Sequence, residues 1–181
     1  MSRLQEKYIK ETAPKLKDEL KIANVHQIPK VEKVVLNIGL GRSVQDNKVI
    51  DVATNTLRKI TGQQPVKTIA KHSIAGFKLR EGNVIGLKVT LRRDRMYEFM
   101  DRLISIVLPR TRDFRGLPAN AFDPQGNYSL GLRDQSVFAE LSYEDTLTAH
   151  GLQINIVTSA NDKGDAKVLL TNLGFPFERN A

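Results

Sequence analysis

The chain has 181 residues, 28 Lys and Arg against 20 Asp and Glu, a net charge of +8 and no cysteine. That length suits one domain or two small ones, and 40% hydrophobic residues is well above the composition of a disordered chain. The absence of cysteine excludes disulfides, thiolate metal sites and a cysteine nucleophile, and no apolar run reaches the length of a membrane span.

Residues 3–22 read as a helix with Leu4, Tyr8, Leu16 and Leu20 near one face, kinked or split by Pro14 near Ala13. Lys33–Leu40 alternates: Val34, Leu36, Ile38 and Leu40 point one way, and Val35, Asn37 and Gly39 the other, as in a strand with one buried face. Asp46 is placed to cap a helix over 47–61, with Val49, Ile50, Ala53, Leu57 and Ile60 at helical spacing and Gly62 as its stop. Pro65–Ala70 reads as a short strand. The aperiodic stretch 71–83 reads as a long hairpin loop, and Val84–Arg92 as a strand with Ile85, Leu87, Val89 and Leu91 facing in.

Asp94 is expected to cap the next helix, whose apolar stripe is Met96, Phe99, Met100, Leu103 and Val107 and which Pro109 ends. Residues 109–127 read as a loop longer than a connection needs. Tyr128–Leu132 and Leu152–Thr158 are further strands, and Asn161 is expected to cap a last helix closed by Gly174. The half-buried alternation of the strands argues against a doubly wound parallel sheet. We therefore expect an α+β, two-layer fold: a largely antiparallel sheet with helices packed on one face and the other face open. One shared sheet makes residues 1–181 a single domain, with an N-terminal helix over 3–22 and an α/β body over 28–181. The first residues carry no apolar signal-peptide run, so a cytoplasmic protein is expected.

The charge is concentrated. Residues 1–125 hold 24 basic and 13 acidic side chains, a net +11, while 126–181 hold 4 and 7, a net −3. Within 58–95 ten basic residues stand against two acidic ones. A field this dense draws phosphates, so a nucleic acid is the expected partner. The outward strand positions, Asn37, Gly39, Lys67 (Thr68 if the register shifts by one), Lys88, Thr90 and Arg92, with Gln153 and Asn155, offer amides, hydroxyls and cations but no aromatic ring. Such a set suits phosphate and ribose contacts and the reading of RNA shape.

Other motifs are weaker. Gly39-Leu40-Gly41 follows a strand, but Val44 stands where a dinucleotide turn has its third glycine, and no acidic residue ends the next strand. His26, His72 and His150 lie in separate segments without ligand spacing, and Ser73 beside His72 has no third group to orient a base. No metal, cofactor or catalytic constellation is expected. Loop 71–83 is more specific, with Lys71, His72, Lys78, Arg80 and one aromatic, Phe77; so is 109–118, with Arg110, Arg112 and Arg115 about Asp113 and Phe114.

The segments KVVLNIGLG (33–41), KHSIAGFKLREG (71–82), LPRTRDFRGL (108–117), Gly131–Gln135 and GLQINIVTSANDKGDAKVLLTNLGFPF (151–177) together resemble the bacterial ribosomal protein fifth in the large-subunit numbering, the 5S rRNA-binding family. Ala139 and His150 depart from the family pattern, which expects Pro and Arg there. The resemblance implies a non-catalytic constituent of the large subunit, cytoplasmic in the ribosome. Such a protein binds 5S rRNA through the sheet surface around Asn37, Gln63, Lys67 and Thr90, and helps attach it to 23S rRNA in the central protuberance beside other large-subunit proteins that bind 5S rRNA. It further implies that the loop with Lys71, His72, Ser73, Phe77, Lys78 and Arg80 reaches P-site tRNA. The segment with Arg110, Arg112, Asp113 and Arg115 would form an intersubunit bridge to a small-subunit head protein. The alternative is a general basic nucleic-acid-binding protein without 5S specificity. No membrane partner is expected.

Overall fold

The computed structural model of the protein describes residues 2–41, 47–111 and 114–178. Its framework is a five-stranded antiparallel sheet in an α+β, two-layer fold. The strands are β1 (Val31–Gly39), β2 (Val66–Ile69), β3 (Val84–Leu91), β4 (Tyr128–Leu132) and β5 (Leu152–Thr158), in the order β2-β3-β1-β5-β4. The expected run of major elements is thus present, and the alternation that marked β1 and β5 is the burial pattern observed, whereas on β3 it holds from Leu87 onward: Ile85, expected to face in, is half-buried and Gly86, expected to face out, is buried. Val34, Leu36, Ile38, Leu87, Val89, Leu91, Ile154 and Ile156 are buried, with exposed or half-buried residues between them.

The chain divides into two compact units. The first comprises Met1–Val34, Leu91–Leu130 and Asn155–Ala181. Here the N-terminal helix is interrupted, as Pro14 required. α1 (Arg3–Lys7) passes into a π-helical turn (Tyr8–Thr12), and α2 (Ala13–Glu19) begins just before the proline. A proline has no N–H to give and its ring crowds the carbonyl four residues back, so widening the preceding turn lets the helix proceed. The device recurs in the helix 93–110. α4 (Arg93–Arg102) opens into a second π turn (Leu103–Val107) directly before Pro109, and α5 (Leu108–Arg110) follows. Pro109 therefore does not end this helix, which runs to Arg110 with Thr111 in extended conformation beyond it. The stripe Met96, Phe99, Met100, Leu103 and Val107 is buried as its spacing predicted.

Two caps differ from expectation. Arg92, not Asp94, is the cap residue before α4, and Asp162, not Asn161, precedes the last helix of this unit; neither side chain caps its helix by a hydrogen bond. Tyr8 donates to Pro29 O at 3.0 Å, and burial pushes its phenol up to about 12. Phe122, Tyr128 and Phe177 form an aromatic triangle with centroids 4.7–5.6 Å apart.

The second unit comprises Val35–Thr90 and Gly131–Ile154. Its principal helix, α3 (Asn47–Thr61), buries Ile50, Ala53, Leu57 and Ile60 and stops at Gly62, whose φ of +64° suits glycine. The proposed cap Asp46 lies outside the described residues. In the segment 131–154 the short helix α6 (Tyr143–Thr146) is fixed by a capping box between Ser142 and Asp145. Asp145 also pairs with Lys59 on α3. The fully buried Gln135 donates to Thr148 O at 2.8 Å and accepts from His150 N at 2.7 Å. The remaining helix, α7 (Lys163–Leu173) in the first unit, buries Ala166, Leu169, Leu170 and Leu173 and ends at Gly174 in the left-handed region, φ +106°.

Candidate nucleic-acid interface

The second unit carries most of the expected site. Register decides which residues look outward. β2 pairs antiparallel with β3, with Val66 opposite Lys88, Lys67 opposite Leu87 and Thr68 opposite Gly86. Directly opposed residues leave an antiparallel pair on the same face. Leu87 is buried on the helix side, so Lys67 leaves the strand toward that side as an exposed residue of the sheet edge. Thr68 takes the open face. The expectation that Lys67 lies outward is therefore corrected in favour of its stated alternative. The reason is the register, which sets Lys67 opposite the inward Leu87; beyond Thr68 the pairing is irregular and jumps from Gly86 to Val84. Val66 joins the open face as well, a position that the sequence reading did not include.

The open face of this unit is thus Val35, Asn37 and Gly39 on β1, Gly86, Lys88 and Thr90 on β3, and Val66 and Thr68 on β2. Asn37, Thr68 and Thr90 are half-buried; Gly39 and Lys88 are exposed. The two glycines differ. A Cβ on Gly86 would stand 2.7 Å from Ile38 O and 3.0 Å from Thr68 Oγ1, so the packing of the strands requires glycine there. A Cβ on Gly39 would meet nothing within 4 Å. Gln63 sits half-buried at the turn after α3, where its N–H donates to Thr61 Oγ1 at 3.3 Å; that hydroxyl also lies 2.7 Å from Leu57 O. Arg92 is exposed just past β3, in extended conformation, and belongs to the first unit.

Residues 71–83 are better ordered than an aperiodic loop. Ile74 and Leu79 form an antiparallel bridge with bonds of 2.9 and 3.1 Å in the two directions. A single 3-10 turn (Ala75–Phe77) lies between them, closed by Lys78 at φ +52°. Ser73 Oγ accepts from Glu81 N–H at 2.9 Å, so this hydroxyl staples the loop. Lys71, His72, Phe77, Lys78 and Arg80 are all exposed. None of Lys67, Lys71, Lys78, Arg80, Lys88 and Arg92 is in an ion pair among the described residues, so their charge faces solvent. Local backbone pairing carried none of this order into the sequence pattern, which is why the loop looked featureless.

In the first unit, Arg110 and Arg115 are exposed, while Arg112 and Asp113 lie outside the described residues. The return of this segment is pinned. Leu117 N–H donates to Pro176 O at 2.8 Å and Glu178 N–H donates to Leu117 O at 3.0 Å. Gly116, at φ +122°, lies so close to Glu178 that a Cβ would stand 2.7 Å from its backbone nitrogen.

Among the described residues no group of three His, Asp or Glu side chains is placed to hold a metal ion, and no helix is long and apolar enough to cross a membrane. His150 is half-buried, with Nδ1 3.1 Å from Thr148 O, and burial pushes its imidazole below the ordinary value. Asp145, held by Lys59 first and Ser142 second, is pulled down to about 2.

Residues 24–80 match the family model for ribosomal protein L5, and residues 84–177 match the model for the C-terminus of the same ribosomal family. Together these two consecutive matches span most of the sequence, and the chain belongs to the ribosomal protein L5 family.

Proposed function

We propose that this chain binds 5S rRNA with the open sheet face of its second unit and helps attach that RNA to 23S rRNA in the central protuberance. The coarser statement follows from membership alone: a protein of this family is a structural constituent of the large ribosomal subunit, binds RNA, serves translation and belongs to no enzyme class. Its place is the ribosome, which in bacteria is cytoplasmic.

The observation that carries the finer reading is the chemistry of the open face. Asn37, Thr68 and Thr90 offer neutral hydrogen-bonding groups, Lys88 offers charge, and the exposed Gly39 leaves its strand bare. Amides and hydroxyls suit ribose 2′-hydroxyls and base edges, cations suit phosphates, and the absence of aromatic rings argues against base stacking on the sheet. Gln63 and Lys67 border this surface, and Arg92 extends the basic run beyond β3. The reading treats residues 1–181 as one RNA-binding domain beside the other large-subunit proteins that bind 5S rRNA.

Two further contacts belong to the proposal. The ordered, basic tip around Lys71, His72, Ser73, Phe77, Lys78 and Arg80 contacts P-site tRNA. The segment with Arg110, Arg112, Asp113 and Arg115 forms the bridge to a small-subunit head protein. The test of the primary reading is binding of the full chain to isolated 5S rRNA by filter retention, with Asn37→Ala alongside. Binding should weaken about tenfold in the variant, the loss of roughly one net hydrogen bond, while its thermal melt stays unchanged.

A further inference from the structure

The tip of the segment 71–83 combines two features that the sheet face lacks. Phe77 is 77% exposed, whereas the other described phenylalanines are buried or half-buried. It makes no ring contact with any described aromatic residue. Yet the backbone beneath it is fixed: Phe77 N–H donates to Ile74 O at 3.3 Å, Lys78 N–H to Ala75 O at 3.0 Å, and the Ile74–Leu79 bridge closes the turn below. Lys78 holds the left-handed region at φ +52°, a conformation that non-glycine residues adopt only where their surroundings impose it. The turn therefore holds the Cα of Phe77 in place while its ring stands in water.

The charges of the same segment select the occupant. Lys71, Lys78 and Arg80 are exposed with no ion pair, His72 is exposed beside them, and Glu81 is the one acidic residue of the segment. An apolar protein socket has no use for such a run of unpaired cations, whereas a nucleotide satisfies both parts, its base on the ring and its phosphates on the cations. We propose that Phe77 is a stacking platform for an RNA base, so that the tip reads a base face while the sheet reads ribose and backbone. This rests on the reading that the segment 71–83 meets RNA, and adds the atom group that does so.

The chain contains no tryptophan, so Phe77→Trp introduces a single indole into the full-length protein. Titration with single-stranded oligoriboadenylate at low salt should quench that indole at least twofold, with affinity equal to or tighter than the parent's. Phe77→Leu keeps apolar bulk without a π face and should bind roughly tenfold more weakly, within the range measured for loss of one base–aromatic stack. Both variants should melt with the parent, since the side chain is exposed. An unquenched indole, or a leucine variant that binds as tightly as the parent, overturns the proposal. Parallel titration with deacylated tRNA separates it from the reading beneath: quenching by the oligonucleotide without binding of tRNA leaves the platform standing and removes tRNA as its partner.

Discussion

Gly39 and Gly86 occupy the same open face on neighbouring strands, for opposite reasons. Gly86→Ala drives a methyl onto Ile38 O at 2.7 Å, a backbone atom that cannot rotate away. It should cost about 1–3 kcal/mol of stability, as overpacking does, and lower the melting temperature by several degrees. Gly39→Ala meets open space and should leave the melt unchanged or slightly raised. If the methyl instead weakens 5S rRNA binding, the glycine is there for the partner. Asn37 is legible at this scale because the alternation of β1 is unbroken from Lys33 onward. The exchange of Lys67 for Thr68 was not, because Pro65-Val66-Lys67-Thr68-Ile69 carries no alternation strong enough to fix its phase and the irregularity after Thr68 has no residue signature.

Elements were readable where side chains impose them and opaque where the backbone does. The apolar stripes of α3, α4 and α7 gave their buried faces directly. Pro14 announced a break, but both prolines are accommodated by π turns that leave the helices running, so Pro109 looked like an end and is not one. The segment 131–154 shows the same limit: Gln135 holds a carbonyl and an N–H of the chain near residues 148–150, a role invisible in its sequence neighbours.

The pairing of Asp145 with Lys59 and Ser142 has a thermodynamic consequence. Its carboxyl is about 2 in the folded protein, below the ordinary 3.8, so the charged form is favoured by folding. That contribution is complete above about pH 4 and is lost as pH falls through about 2. Stability measured by urea unfolding should therefore fall between pH 4 and pH 2, and more steeply in the parent than in Asp145→Asn. Equal slopes would mean that the pair is not held in solution.

At the scale of the molecule, charge points to the partner before any element is drawn. The net charge is +11 over residues 1–125 against −3 over 126–181, and the basic run 58–95 falls on α3, β2, the ordered tip, β3 and the start of α4. Composition reached a polyanion and strand alternation an open sheet; the proposal of 5S rRNA rests on the family resemblance of motifs spread along the chain. Deleting residues 73–81 should leave 5S rRNA affinity within about twofold and lower translation activity of reconstituted subunits instead. A large loss of 5S rRNA affinity would make the tip part of the primary site.

The central claim is specific recognition of 5S rRNA by this chain. The most direct test is a competition experiment in which labelled 5S rRNA, bound to the full-length protein at physiological salt, is displaced by unlabelled 5S rRNA or by an unrelated folded RNA of equal length. The account predicts displacement by 5S rRNA at a concentration at least about a hundredfold lower, with affinity falling as salt rises by roughly 0.7–0.9 logarithmic units per phosphate neutralised. Equal displacement by both RNAs would contradict it and leave a basic protein that binds RNA without choosing.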